Sequence, residues 1–223
     1  MIIFSELQKE IFTKMGVSKD KIKVIPNGVD ENRFSLGESK FKQKFPNKKI
    51  YLYLGRIDAE KGVDILIKSF LKCNFDDAVL VIVGGGKQEK VLKAIYSEEK
   101  NIFWTGIIKD ENERIDILRG SYAFILPSQI EGLSLALLEA MSCGVPCIAT
   151  DVGSDGEVLS KGAGIILNPL KTKSQLTFSL SLINDNEDFR NLLSKKARER
   201  ILEKYSITKN IEKVEALYYE CLS

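Results

Sequence analysis

Two glutamates, Glu131 and Glu139, stand eight positions apart between Pro127-Ser128 and Gly144-Val145-Pro146. Paired carboxylates can do acid–base work. Ionised carboxylates also accept hydrogen bonds from vicinal diols such as those of a sugar. Glu131 falls in a loop and Glu139 about two turns along the helix that follows. Eight helical steps bring the second carboxylate to about 80° from the first, so both can face one cleft. Between them Gly132, Leu133 and Ser134 would expose backbone amides where the helix begins, which favours an anion. A plainer reading stays open, because a glutamate at a helix start is stabilising whatever it binds.

Arg56 and Lys61 lie in a short stretch bracketed by Gly55 and Gly62. An arginine grips an anion bidentately and a lysine adds a point charge, so the pair suits a doubly charged diphosphate. The same two cations read equally well as solvated loop charge. Gly84-Gly85-Gly86 follows an apolar run and precedes a helical stretch. It permits close backbone approach to a phosphate or sugar, or simply makes a tight turn. A dinucleotide fingerprint is a poor match, since its third glycine would fall at Glu89.

These groups must be held by something, and the chain has a rhythm that supplies it. Apolar runs at 50–54, 78–83, 102–104, 122–126, 147–149 and 164–167 alternate with helical stretches at 62–71, 88–97, 111–119, 133–142 and 154–160. Strands alternating with helices at this spacing imply β-α-β units and a parallel sheet. Continuous apolar strands fit a sheet covered on both faces. The expected fold is therefore α/β, a doubly wound Rossmann-like layer with helices on both faces and a helical C-terminal tail at 172–184, 187–204 and 207–221. Residues 5–15 read as an amphipathic helix with Leu7, Ile11, Phe12 and Met15 on one face. Residues 23–30 read as a short strand into an Asn-Gly turn, and 35–49 as a charged connection. In such sheets ligands bind at the carboxyl ends of the strands, which is where Arg56, Lys61, the triglycine, Ile107 and Glu131 fall.

Composition narrows the chemistry. The chain has 223 residues, 33 basic and 31 acidic, and no histidine. A net charge of +2 gives no footprint for nucleic acid. The lack of histidine removes Ser-His-Asp and Cys-His catalysis and every histidine-containing zinc site. Cys73, Cys143, Cys147 and Cys221 form no CxxC pair. They read as reduced thiols of a cytosolic protein. No apolar run reaches membrane-spanning length.

The segment Pro127-Ser-Gln-Ile-Glu-Gly-Leu-Ser-Leu-Ala-Leu-Leu-Glu-Ala-Met-Ser-Cys-Gly-Val-Pro-Cys-Ile-Ala-Thr-Asp151 resembles the Glu-x7-Glu signature of retaining glycosyltransferases of the GT-B fold, group 1 (family 4) type. Val24-Ile-Pro-Asn-Gly-Val-Asp30, Gly55-Arg56 with Lys61-Gly62, Val81-Ile-Val-Gly-Gly-Gly86 and Phe103-Trp-Thr-Gly106 resemble the family's other motifs in the same order. The resemblance covers roughly residues 1–221. It implies the C-terminal, donor-binding domain of a transferase that moves a hexose-type sugar from a nucleoside diphosphate sugar with retention and without metal or other cofactor. By similarity Arg56 and Lys61 hold the diphosphate, Glu131 the hydroxyls of the transferred sugar, and Glu139 the ribose diol. Gly85 and the amides around Gly132, Leu133, Ser134 and Leu135 approach sugar and phosphate, and the loop carrying Ile107 borders the base. Glu131, Arg56 and Lys61 would carry the chemistry, with front-face attack and the departing phosphate taking the acceptor's proton. On this division Glu131→Gln spares nucleotide binding and Glu139→Gln weakens it.

The resemblance also implies an organisation. Residues 1–22 would be the last strand and helix of an N-terminal acceptor domain, 23–204 the donor domain, and 205–223 a helix that packs on the acceptor domain. An excised piece, a split-gene product or a degenerate copy would each fit that length. The expected role is surface polysaccharide or glycolipid synthesis, with a glycan or lipid-linked acceptor. The location would be cytoplasmic, peripheral at the inner face of the membrane. A partner chain carrying the acceptor domain, or self-association, is expected. Competing readings are a non-catalytic nucleotide-sugar-binding subunit, a GT-B-fold sugar-nucleotide epimerase, and more distantly a Rossmann dehydrogenase. Two departures, Leu133-Ser134 where many relatives have Phe-Gly and Gly153-Ser154 where many have Gly-Gly, bear on the sugar pocket.

Overall fold

The computed structural model describes residues 1–222; the side chain of Cys221 and residue Ser223 lie outside the described residues. Six parallel strands form the central sheet: β3 (Lys49–Leu54), β4 (Ala78–Val83), β5 (Ile102–Gly106), β6 (Ala123–Leu126), β7 (Cys147–Thr150) and β8 (Ile165–Leu167). Their order across the sheet is β5-β4-β3-β6-β7-β8. Every side chain of β4, β6 and β7 is buried, as are all but the first of β3. That is why these strands read as unbroken apolar runs rather than alternating ones. Around the sheet lie α2 (Val63–Cys73), α3 (Glu89–Ile95), α4 (Glu111–Gly120), α5 (Leu135–Ser142), α6 (Asp155–Leu159), α7 (Thr172–Asp185) and α8 (Glu187–Arg200).

The strand order reverses between β3 and β6. β3 leads outward through β4 to β5, while β6 leads the other way through β7 to β8. A reversal of this kind opens a crevice at the carboxyl ends of the two central strands, and ligands bind there. The segments 55–62 after β3 and 127–134 after β6 are therefore neighbours across that crevice.

Several boundaries differ from the sequence reading. Helix α5 starts at Leu135, not 133, because the Ser134 hydroxyl accepts from Leu137 N as an N-cap. Glu131 thus lies four residues before the helix, and helical rotation does not relate it to Glu139. The connection 35–49 holds one 3₁₀ turn, Phe41–Lys44. Past Arg200 a π-turn, Ile201–Tyr205, interrupts what reads as one helix to 204. It is anchored by the buried Arg200, which donates to the carbonyls of Glu157 and Val158.

The two chain ends meet. β1 (Ile2–Ile3) and β2 (Lys23–Val24) pair in parallel, with α1 (Glu6–Lys14) between them, capped by Ser5. α9 (Ile207–Leu222) returns to this corner through Lys23–Glu220, and Val29 N and Ile207 N close a bridge with Tyr205 O and Val29 O. Ile3, Ile22 and Ile25 are buried outside the main hydrophobic cluster. Leu7 and Ile11 on α1, Met15 just past its end, and Ile211, Tyr218 and Tyr219 on α9 are exposed. No described helix is long and apolar enough to cross a membrane.

Candidate functional site

The two loops of the crevice are joined by an ion pair. Lys61 Nζ lies 2.7 Å from Glu131 Oε1, and both side chains are only 13% exposed. Ser128 Oγ donates to the same carboxylate oxygen at 2.8 Å. Gln129 N donates to Glu60 O at 2.7 Å, so main chain backs the side-chain bridge. Arg56 stands further out, 65% exposed, held by Asp58 at 2.5 Å and Glu60 at 3.0 Å. Asp58 also accepts from Lys87 N at 2.9 Å, which ties the loop after β3 to the triglycine turn after β4.

That turn is built for close backbone contact. Gly55 N donates to Val83 O, Ile57 N to Gly85 O and Gly84 N to Gly106 O. Gly84 sits at φ +136, and a Cβ there would collide with the Gly55 carbonyl oxygen. The glycine is thus spent on loop-against-loop packing, the tight-turn reading of the sequence. Gly85, by contrast, faces Ile107 and lines a cleft of about 320 Å³ with Arg56, Gly84, Ile107, Ile108 and Arg114. A larger hollow of about 450 Å³ opens around Lys49 and Tyr122, at the amino ends of β3 and β6. It is at the wrong end of a parallel sheet for a ligand site of this fold.

Glu139 belongs to a second cluster. Its carboxylate lies 3.8 Å from Arg114, the arginine that lines the cleft. Burial pushes its carboxyl above the ordinary range, opposed by Arg114 and reinforced by Glu111. The structure therefore places each glutamate with its own cation, Glu131 with Lys61 and Glu139 with Arg114. At the start of α5, Ser134 N donates to Asp155 Oδ1 and Leu137 N to Ser134 Oγ. Among the described residues this leaves Leu135 N and Ala136 N as helix-start amides without a partner. Buried Ser134 thus caps the helix, so its hydroxyl is engaged within the chain.

The family description "Glycosyl transferases group 1" matches residues 37–200. The chain belongs to the group 1 glycosyltransferases. It is 30% identical over 232 aligned residues to an Escherichia coli UDP-Gal:alpha-D-GlcNAc-diphosphoundecaprenol alpha-1,3-galactosyltransferase, covering 99% of this chain and 60% of that enzyme. The structure superposes on Anabaena HepE, solved with UDP-glucose, with a TM-score of 0.84 at 20% identity, over 98% of this chain and 63% of that one. It also superposes on the isolated C-terminal domain of a group 1 glycosyl transferase, LpcC of Francisella tularensis. There the TM-score is 0.73 at 25% identity, over 81% of this chain and the whole of that one. The fold is that of a GT-B C-terminal domain, and the chain spans about 60% of the length of its full-length relatives.

Within this glycosyltransferase domain, the structure brings Lys61, Glu131 and the start of α5 together and sets Arg56, Gly85 and Ile107 around the adjoining cleft. Gly132, Leu133 and Leu135 lie along the loop and first turn between them, with Gly132 and Leu135 exposed. Three residues in contact with these groups escaped the sequence reading: Ser128, Arg114 and Asp155. Arg114 lies in the first turn of α4 after β5, a position that could have marked it. Ser128 follows the β6 proline directly. No described group of three His, Cys, Asp or Glu side chains is placed to hold a metal ion.

Proposed function

We propose that this chain is the donor-binding half of a retaining glycosyltransferase, taking a hexose-type sugar from a nucleoside diphosphate sugar. The observation that carries the reading is the Lys61–Glu131 bridge across the crevice between β3 and β6. It sets a cation for the diphosphate beside a carboxylate for the sugar hydroxyls, next to a helix start with amides to spare. Arg56 adds a second cation at the rim, and Glu139 holds the ribose diol beside Arg114. The loop with Ile107 borders the base. Reaction breaks the anomeric carbon–phosphate oxygen bond and forms a bond to the acceptor hydroxyl on the same face. The acceptor's proton passes to the departing diphosphate, whose charge Arg56 and Lys61 neutralise. No metal is required on this reading. A uridine base is supported by the UDP in the names of the two relatives.

We assign residues 23–204 to donor binding, and residues 1–22 and 205–223 to the face that meets an acceptor domain. The small buried group of Ile3, Ile22 and Ile25 and the exposed apolar residues of α1 and α9 support this. The acceptor on this reading is a glycan or lipid-linked glycan, of the kind in the E. coli relative's name, and we propose a role in surface polysaccharide or glycolipid synthesis at the cytoplasmic face of a membrane. A second reading is a donor-binding subunit that works with a separate acceptor-domain chain.

Calorimetry with UDP, GDP and ADP in the presence of a metal chelator tests the proposal. One of the nucleotides should bind. Replacing Arg56 and Lys61 together with alanine should weaken it by about 1.5 kcal/mol per cation, the low end for charge-assisted bonds because both cations already share carboxylates. Equal affinity in the double variant, or a strict need for magnesium, refutes the reading. A transfer assay with and without a co-expressed acceptor domain should show transfer only in its presence; transfer by the isolated chain refutes the assignment of this chain to the donor half alone.

A further inference from the structure

Beneath the loop that carries Glu131 lies a carboxyl with no part in the scheme above. Asp155 opens α6, and its side chain is 0% exposed. One oxygen, Oδ1, accepts from Ser134 N at 2.9 Å. The other, Oδ2, has no hydrogen-bond partner, and neither has the hydroxyl of the adjacent buried Ser154. The backbone around them is threaded tightly. Ser154 N donates to Gly132 O at 2.7 Å. Gly153, at φ +58, lies so close under the carbonyls of Glu131 and Gly132 that a Cβ would collide with both. Segments 131–134 and 153–155 are therefore tied together at three points, with Asp155 directly under the amide that opens α5.

We propose that Asp155 is the positioning residue of the donor loop, and that it takes up a proton when the diphosphate of a nucleotide sugar arrives at the start of α5. The proposal rests on the donor-site reading above. An ionised carboxylate with an unpartnered oxygen in a dry site is strongly disfavoured. Burial accordingly pushes Asp155 up to about 7, with Ser134 N and Lys61 opposing and Glu131 reinforcing. The other charged or titratable groups facing this corner are Asp151, whose carboxylate lies against Gly156, and Tyr205. A second anion at the same helix start favours the neutral form further. On protonation a solvent proton forms an O–H bond on one carboxyl oxygen, while the other still accepts from Ser134 N. The loop keeps its shape and loses a repulsive charge.

The test needs a donor without a titrating phosphate. UDP-glucose serves, because a diphosphate esterified at both ends has no group titrating near neutrality. Its binding heat, measured between pH 6 and 8.5 in buffers of different ionisation enthalpy, gives the protons taken up. The wild-type chain should take up as much as one proton, with affinity falling about tenfold per pH unit above 7; Asp155→Asn should show neither effect. A second readout needs no donor. The ¹⁵N–¹H signal of Ser134 should titrate in the free wild-type chain with a midpoint near 7, and lose that titration in Asp155→Asn. A Ser134 signal that stays fixed over this range in wild type overturns the proposal even if the variant fails to fold, and so does equal proton uptake in the variant. If UDP-glucose and its galactose and N-acetylglucosamine counterparts bind at no pH, the donor-site reading falls. A Ser134 titration that Asp155→Asn abolishes would then still uphold the positioning role.

Discussion

Lys61 and Glu131 form an ion pair across the central crevice at 2.7 Å, and cutting it from either side has unequal consequences. At an effective dielectric of about 20 the gross attraction at this distance is roughly 6 kcal/mol. Desolvating two nearly buried ends and fixing both side chains offsets most of it, leaving a net coupling of about 2 kcal/mol. Lys61→Met strands the Glu131 carboxylate with only the Ser128 hydroxyl, and should destabilise by about 3 kcal/mol. Glu131→Gln leaves Lys61 its contact to Ile130 O at 3.3 Å, and should lose only about 1–2 kcal/mol. The double variant should therefore be about 2 kcal/mol more stable than the sum of the singles. The same bridge changes the expectation for ligand binding. A diphosphate must draw Lys61 away from, or share it with, a carboxylate of the same sign as itself. Glu131→Gln should thus tighten binding of plain UDP by about fivefold, roughly 1 kcal/mol, rather than leave it untouched. Urea unfolding of the four proteins and UDP calorimetry of wild type and Glu131→Gln are the assays. Additive stabilities within about 0.5 kcal/mol, or weaker UDP binding in Glu131→Gln, would refute the reasoning.

Gly84→Ala should cost at least about 3 kcal/mol or prevent folding, seen as a lowered Tm, because its backbone is at φ +136 and the added methyl meets the Gly55 carbonyl. Asp155→Asn should stabilise the chain at neutral pH. The Asp155 carboxyl is raised to about 7 from 3.8, so wild-type stability is unpenalised below about pH 4 and falls as pH rises towards 7. An upper figure of about 4 kcal/mol separates the two proteins above that point, read from urea unfolding at pH 4 and pH 8. Glu139→Gln should remove a smaller loss of the same sign, since burial also raises that carboxyl. In calorimetry it should weaken UDP by about 1.5–3 kcal/mol if the carboxylate holds the ribose.

The central sheet was legible because its strands are buried on both faces and so carry no polar interruptions: β3, β4, β6 and β7 fall within a residue of the apolar runs. The pairing of β1 with β2 was not, since two residues on each side leave no pattern to read. The start of α5 lies two residues later than the apolar pattern predicts, because the Ser134 hydroxyl serves the cap better than the helix interior. At the site, residue types and strand-end positions pointed to Arg56, Lys61, Gly85 and Glu131. Their partners did not follow. Lys61 meets Glu131 only because β3 and β6 lie side by side, a fact of strand order that local sequence does not encode. Asp155 was invisible for a different reason. An aspartate that follows Gly153-Ser154 and opens a short helix reads as an ordinary first-turn acid. Only the fold reveals that loop 131–134 closes over it.

The floor of the cleft is held by main chain bonded to main chain: Gly55 to Val83, Ile57 to Gly85, Gln129 to Glu60 and Ser154 to Gly132. Such bonds do not depend on which side chains the loops carry, provided glycine stays where two backbones touch. Arg56, Ile107, Leu133 and Leu135 stand on this frame without being part of it. Mutation can therefore exchange them while the frame keeps its shape and most of its stability. On the donor-site reading proposed above, a scaffold so divided would let a lineage change donors in single steps without passing through unfolded ancestors.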